Sequence, residues 1–335
     1  MKEIYLLDQS ERENFFRVAA ETSKISFEII EKDYWVVWTL ERLFALEELK
    51  THLTFKGGTS LSKAYRIIDR FSEDIDLSIE RSFLGFGETR DPERQPSKNK
   101  QRETLNYLSA ACSTYVQNKM LTDLKTAIVE KLGTIDGWKV EVDASDSQTL
   151  NFEYPSVVPK NNYIRPFVKI EMGARSEHWP VSEHKIQSYV KEALQEKVHE
   201  NDVILRVLNA ERTFWEKATI LHQYAHLPNE KSLPPRISRH FYDFFCLLIS
   251  PVKEKALRDL SLLERVAIHK SVYFASGWAN YKTARKGTLK LSPLPTLSKE
   301  LKNDYALMEA MFFRDRPGWD LILKTIEEFE RDFNS

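Results

Sequence analysis

Between Leu53 and Glu80 the hydrophobic pattern changes period twice. A short apolar run at Leu53–Lys56 is followed by Leu61, Ala64, Tyr65 and Ile68 at helical spacing, and Asp74-Ile75-Asp76-Leu77 then alternates residue by residue. The pattern predicts a strand, a helix over 59–68 and a second strand over 75–79, with Gly57-Gly58 in the turn that opens the helix. Upstream, Ser10 and Glu13 have capping-box spacing and predict a helix to Thr22. A second helix from Ser26 carries Ile29, Ile30, Trp35, Val36, Leu40, Leu43 and Leu46 at mostly helical spacing. Residues 82–101 hold Gly85, Gly87, Pro92 and Pro96 among many charges and read as a mobile loop, long enough to be a lid or substrate loop. Residues 102–132 are helical with a break or bend near Leu121-Thr122. Residues 138–142, 149–154 and 164–172 alternate as strands. From Asn209 onward the spacing is helical, over 209–225, 237–249, 262–275, 299–313 and 319–333. The expected fold class is α/β (α+β). A mixed sheet flanked by helices occupies residues 1–202, including the helical preface, and a largely helical domain occupies 203–335.

Composition narrows the class without naming a reaction. The chain has 335 residues, 12% of them aromatic and only 10 glycine, which suits a helix-rich globular protein of one large or two moderate domains. The 49 Lys and Arg nearly balance 50 Asp and Glu, so any nucleic-acid surface must be local. Cys112 and Cys246 are too few for a disulfide framework or a thiolate zinc site and are expected in the core of a cytoplasmic protein. Neither a basic leader nor an apolar run approaching ~20 residues is present, so no membrane role is expected.

The candidate chemistry begins at the glycine pair. Missing Cβ atoms let the backbone approach a ligand, and the start of a helix favours an anion; a tight connection is the plainer alternative. Strand alternation puts Asp74 and Asp76 on one face, the geometry two carboxylates need to share Mg²⁺, unless they only form a solvated acidic edge. In 167–172, Val168, Ile170 and Met172 alternate against Lys169 and Glu171, which supplies a third carboxylate or else a surface pair. Lys217 lies toward the polar side of its helix, where it meets phosphate or pairs with Glu216. Arg239 and Asp243, four apart, form an ion pair or serve the same site. His222 and His226 have zinc spacing, but HQYAH lacks the glutamate and no third ligand is apparent, so polar helix positions are the better reading. Lys282, Arg285, Lys286 and Lys290, interleaved with Trp278 and Tyr281, form either an RNA-backbone contact or an ordinary solvated loop.

GGTSLSKAYRIIDRFSEDIDLSIE resembles the signature of nucleotidyltransferase-superfamily proteins of the AbiEii/AbiGii toxin family, within the polymerase-β-like superfamily. EKDYWV, VKIEMG, ERTFWEKATIL and SRHFYDFFCLL resemble further family segments in the expected order. The resemblance implies a nucleotidyltransferase-like mixed sheet with a helical C-terminal domain. Asp74, Asp76 and Glu171 would be the metal-binding acids, and Lys217 and Asp243 the catalytic lysine and late aspartate. Lys56, Gly57, Gly58, Thr59, Ser60 and Lys63, with Lys217 and Arg239, would hold the nucleotide. It implies an NTP substrate, Mg²⁺ with Mn²⁺ as a substitute, transfer of NMP to RNA such as a tRNA 3′ end, and an antitoxin encoded nearby. A protein or small-molecule hydroxyl is the alternative acceptor, and a non-catalytic nucleotide- or RNA-binding module is the rival class.

Overall fold

The computed structural model describes residues 3–133, 136–158 and 166–335. They divide into two compact units, one of Met1–Ala64, Phe71–Asp91 and Glu103–Val207, the other of Tyr65–Arg70, Pro92–Arg102 and Leu208–Ser335. Two short stretches early in the chain thus group with the helical C-terminal region.

The first unit is built on a seven-stranded mixed sheet. Its strands are β1 (Leu53–Lys56), β2 (Asp74–Ile79), β3 (Lys139–Val142), β4 (Thr149–Glu153), β5 (Phe167–Gly173), β6 (Val181–Ile186) and β7 (Val203–Leu208), in the order β3-β4-β5-β2-β1-β7-β6. β2 runs antiparallel to β1 and parallel to β5, and β1 runs parallel to β7. The expected start of β5 at Ile164 lies outside the described residues. Two strands were not expected from the sequence. β7 falls where a helical region was predicted: Val203, Leu205 and Val207 are buried, but exposed Ile204 hides the alternation. β6, VSEHKI, is a largely polar strand at the sheet's end and carries no apolar period.

Helices α1 (Gln9–Ser23) and α2 (Phe27–Phe44) open this unit. Asp8 rather than Ser10 caps α1: its carboxylate accepts from Glu11 N at 2.8 Å while the Asp8 amide donates to Glu11. Ser26 caps α2 as expected. α2 is buried along most of its length, and its Trp35 and Trp38 stack on Tyr154 and Phe152. α3 (Gly57–Lys63) starts at the first glycine and stops early, because Arg66 takes a left-handed φ of 53°. The stretch expected as an open loop contains 3-10 turns at Glu88–Arg90 and Pro92–Arg94, with Asp91 paired to Arg81.

The predicted interruption of the next helix has a geometric cause. α4 (Lys98–Tyr115) and α5 (Leu121–Leu132) are joined by a π turn over Val116–Met120. Leu108, Cys112, Val116, Met120, Leu124, Ile128 and Leu132 are all buried at strict four-residue spacing. An α-helix advances such a stripe by about 40° at every step, roughly 240° from end to end. The wider π turn absorbs part of that drift and keeps both halves facing the core. α6 (Tyr189–Leu194), capped by Ser188, completes the unit.

The second unit is helical: α7 (Ala210–Tyr224), α8 (Ser238–Leu248), α9 (Val252–Arg258), α10 (Ser261–Tyr273), α11 (Ser298–Ala306) and α12 (Trp319–Asn334). Its core is aromatic, with Phe214 against Phe244 and Phe329, and Trp215 against Phe333. Among the described residues no helix is long and apolar enough to cross a membrane.

Candidate active site

Strand parity divides the sheet's chemistry. Ile75 pairs with Ile170 and Leu77 with both Phe55 and Met172, on the apolar face. One residue away, Asp74 pairs with Lys169 and Asp76 with both Lys56 and Glu171, on the other face. The three predicted carboxylates and Lys56 are therefore neighbours across three adjacent strands. Gly57 is required where it stands. Its φ is +79°, and a Cβ there would lie 1.9 Å from Asp76 Oδ2 and 2.7 Å from Asp76 Cγ. The Asp76 carboxylate rests directly against the bare Cα that opens α3.

Burial, together with Glu73, Glu171 and Asp76, pushes the Asp74 carboxyl up to about 6, against a smaller opposing effect from Lys169. Lys169 Nζ pairs with Glu171 Oε1, so the third acid has its cation beside it. Buried Lys32 holds Glu73 in the same way at 2.5 Å. The turn hydroxyls are engaged in structure: Thr59 Oγ1 donates to the Asp74 carbonyl, tying α3 to β2, and Ser60 Oγ donates to Gly57 O at 2.9 Å. Lys63 is buried, with its ammonium 2.9 Å from Asp33 Oδ1 and over the Tyr189 ring. The EKD of α2 is thus a buried frame in which Glu31 accepts from Ser156 and Val157 N, Lys32 holds Glu73, and Asp33 holds Lys63.

The second unit has its own charged centre. Asp243, fully buried on α8, accepts from Lys217 Nζ on α7 at 2.7 Å and from Arg70 Nε and Nη2 at 2.8 and 2.9 Å. Burial opposes the charge on Asp243, but the two cations prevail and hold its carboxyl well below the usual range. Burial lowers the Lys217 ammonium, and His240 Nδ1 lies 3.1 Å from it. Asp243 therefore takes Arg70 and Lys217 rather than Arg239, and Glu216 takes Arg212 rather than Lys217. Half-buried Arg239 adds positive charge that further lowers Lys217 and His240. Arg70 escaped sequence reasoning; its only local signal is a basic residue four positions before Asp74. His222 bonds to Asn280 O and Thr283 Oγ1, and His226 to the His222 carbonyl, so both imidazoles serve local structure.

Among the described residues no three His, Cys, Asp or Glu side chains are grouped to hold a metal ion. What the polar face offers is the pair Asp74 and Asp76, hard oxygen donors in a field of like charge that raises Asp74. That donor set suits a divalent cation whose remaining ligands come from phosphate and water.

A divalent cation held by paired carboxylates can stabilise the charge that develops in phosphoryl transfer. The family model described as nucleotidyl transferase AbiEii toxin, type IV toxin–antitoxin system, matches residues 38–330, and the chain belongs to this family. It is a nucleotidyltransferase toxin, with an NTP substrate and a cognate antitoxin implied by the family. Among solved structures, MenT4, a nucleotidyltransferase toxin from Mycobacterium tuberculosis H37Rv, is similar over 95% of this chain and 96% of that one, at 15% identity and a TM-score of 0.43. No curated protein matches the chain.

Proposed function

We propose that the protein transfers NMP from an NTP to the 3′ end of a tRNA, using Mg²⁺, and acts in the cytoplasm. The observation that carries this reading is the strand register that aligns Asp74, Asp76 and Glu171 on one face, with Asp76 set against Gly57. Asp74 and Asp76 would hold the metal, with Glu171 as the third acid, and the metal supplies Lewis-acid stabilisation of the charge that develops on the transferring phosphate. The backbone amides of Gly57, Gly58, Thr59 and Ser60 bind the triphosphate, which leaves the Thr59 and Ser60 hydroxyls to hold the turn in shape. Lys56, paired with Asp76, offsets phosphate charge. Glu171 takes the proton of the attacking hydroxyl, and its pairing with Lys169 keeps the carboxylate oriented. Lys217 retains the phosphate-contacting role that the family resemblance implies, oriented by Asp243; Arg239 supports it, and Lys63 acts through Asp33 as a structural cation.

Incubation with each labelled NTP, Mg²⁺ and total tRNA tests the reaction. Label should appear on tRNA and vanish in Asp76→Asn and in Lys217→Met, each by at least about 10²-fold. Label on a protein or a small molecule would replace the acceptor. A folded wild-type protein that labels nothing would sink the reading.

A further inference from the structure

From Arg265 to Lys299 the chain contains no aspartate or glutamate, yet it carries Arg265, Lys270, Lys282, Arg285, Lys286, Lys290 and Lys299. In a chain with 50 acids among 335 residues, such a gap is far from an even mixture of charges. Lys282, Arg285, Lys286 and Lys290 are exposed, and among the described residues their side chains make no hydrogen bond or ion pair.

The loop that presents these four cations is fastened from beneath. His222 Nδ1 accepts from Lys290 N at 2.9 Å, which assigns the proton to Nε2 and makes it the donor to Asn280 O at 3.1 Å. Burial keeps this imidazole neutral. The Asn334 amide brackets Leu289, accepting from its N–H and donating to its carbonyl. Glu330 accepts from the N–H groups of Leu291 and Ser292. Tyr281, Ala284, Leu289 and Leu291 are buried, so one side of the loop is anchored in the helical unit while the cationic side faces water. At its root, half-buried Trp278 lies against Tyr224, ring centroids 6.0 Å apart.

A solvated loop has no need of this fastening, and like charges held close together oppose folding. Fixing them in place lowers the ordering cost of binding a polyanion. Lys and Arg side chains held toward water neutralise backbone phosphates whatever the base sequence. An aromatic ring beside such a surface can stack on an unpaired base. We propose that Lys282, Arg285, Lys286 and Lys290, with Trp278, form the surface that grips the sugar–phosphate backbone of the RNA acceptor, an assignment that rests on the RNA reading above.

The test replaces all four cations with glutamine in the full chain and measures tRNA binding by fluorescence anisotropy, alongside transfer kinetics. Binding should weaken about tenfold or more, and the slope of log affinity against log salt should fall by about three. KM for NTP and the circular dichroism spectrum should stay as in wild type. The double variant Arg285→Gln, Lys286→Gln should lose about half of that slope. Unchanged RNA affinity and salt slope in a wild-type protein that labels tRNA would overturn the surface and leave the reaction standing. Wild-type protein that binds tRNA through these residues but never labels it would sink the acceptor and leave the surface standing. Intact RNA binding with lost neutralisation by the antitoxin would also overturn the proposal and mark the loop as a protein contact.

Discussion

Asp74 is kept at a cost to stability. Its folded-state pKa of about 6 lies above the ordinary value of 3.8, so between those limits the folded protein binds more protons than the unfolded chain. Stability therefore falls as pH rises from about 4 to about 6 and stays lower above that. The shift corresponds to at most about 3 kcal/mol. In chelator at pH 7, Asp74→Asn should raise the denaturation midpoint, and the gain should disappear near pH 4, while in a separate assay with Mg²⁺ the variant should lose transfer. Adding a divalent cation should reverse the order, since only wild type recovers binding energy there; equal stabilisation of both proteins would count against a metal at Asp74. Much of this face was legible in the sequence, because strand parity alone puts Asp74, Asp76 and Glu171 on the side opposite Ile75 and Ile170. Parity is silent on long-range pairing. Nothing local announces that Lys63 turns inward to Asp33 or that Arg70 meets Asp243, 173 positions away.

Elements were legible where one period dominates. The strands at 139–142, 149–153 and 167–173 and most helices after Asn209 follow from spacing, but α11 ends at Ala306 where helix was expected to 313, and a separate 3-10 turn follows at Glu309–Met311. α3 is shorter than its apolar pattern, since Ile68 is buried from outside any helix once Arg66 has turned left-handed. α9, seven residues long, is too short to establish a period. The stripe from Leu108 to Leu132 is the instructive case, because a spacing of four is too long for a pure α-helix and implies a wide turn somewhere along it. Removing exposed Asn118 from the π turn should restore a regular ladder but rotate Leu124, Ile128 and Leu132 by about 100° relative to Leu108 and Cys112. The expected cost is about 3 kcal/mol or more, as large apolar side chains leave the core, read from urea unfolding. A deletion with no effect on stability would show that the turn is not what keeps the stripe in register.

At the scale of the molecule, the helical unit recruits chain from far upstream. Arg70 reaches Asp243 with two hydrogen bonds, Asp69 N donates to the Tyr242 hydroxyl, and Phe313 N donates to the Asp69 carbonyl. Arg70→Met should cost about 3–5 kcal/mol by leaving Asp243 buried with Lys217 alone. Arg70→Met with Asp243→Leu should recover part of that loss without restoring transfer, which separates the centre's structural weight from its chemistry. A double-variant loss equal to the sum of the Arg70→Met and Asp243→Leu losses would indicate that the ion pair carries no coupling. The contact between Asp76 and the bare Cα of Gly57 has a consequence for the gene as well as for the enzyme. Lesions in the toxin are one route by which a host expressing it without its antitoxin would survive, and many such lesions also unfold the product. A side chain at position 57 strikes Asp76 while most of the core is untouched, so survivors carrying Gly57 substitutions should still accumulate full-length, folded protein. Such alleles would separate being harmless from being absent.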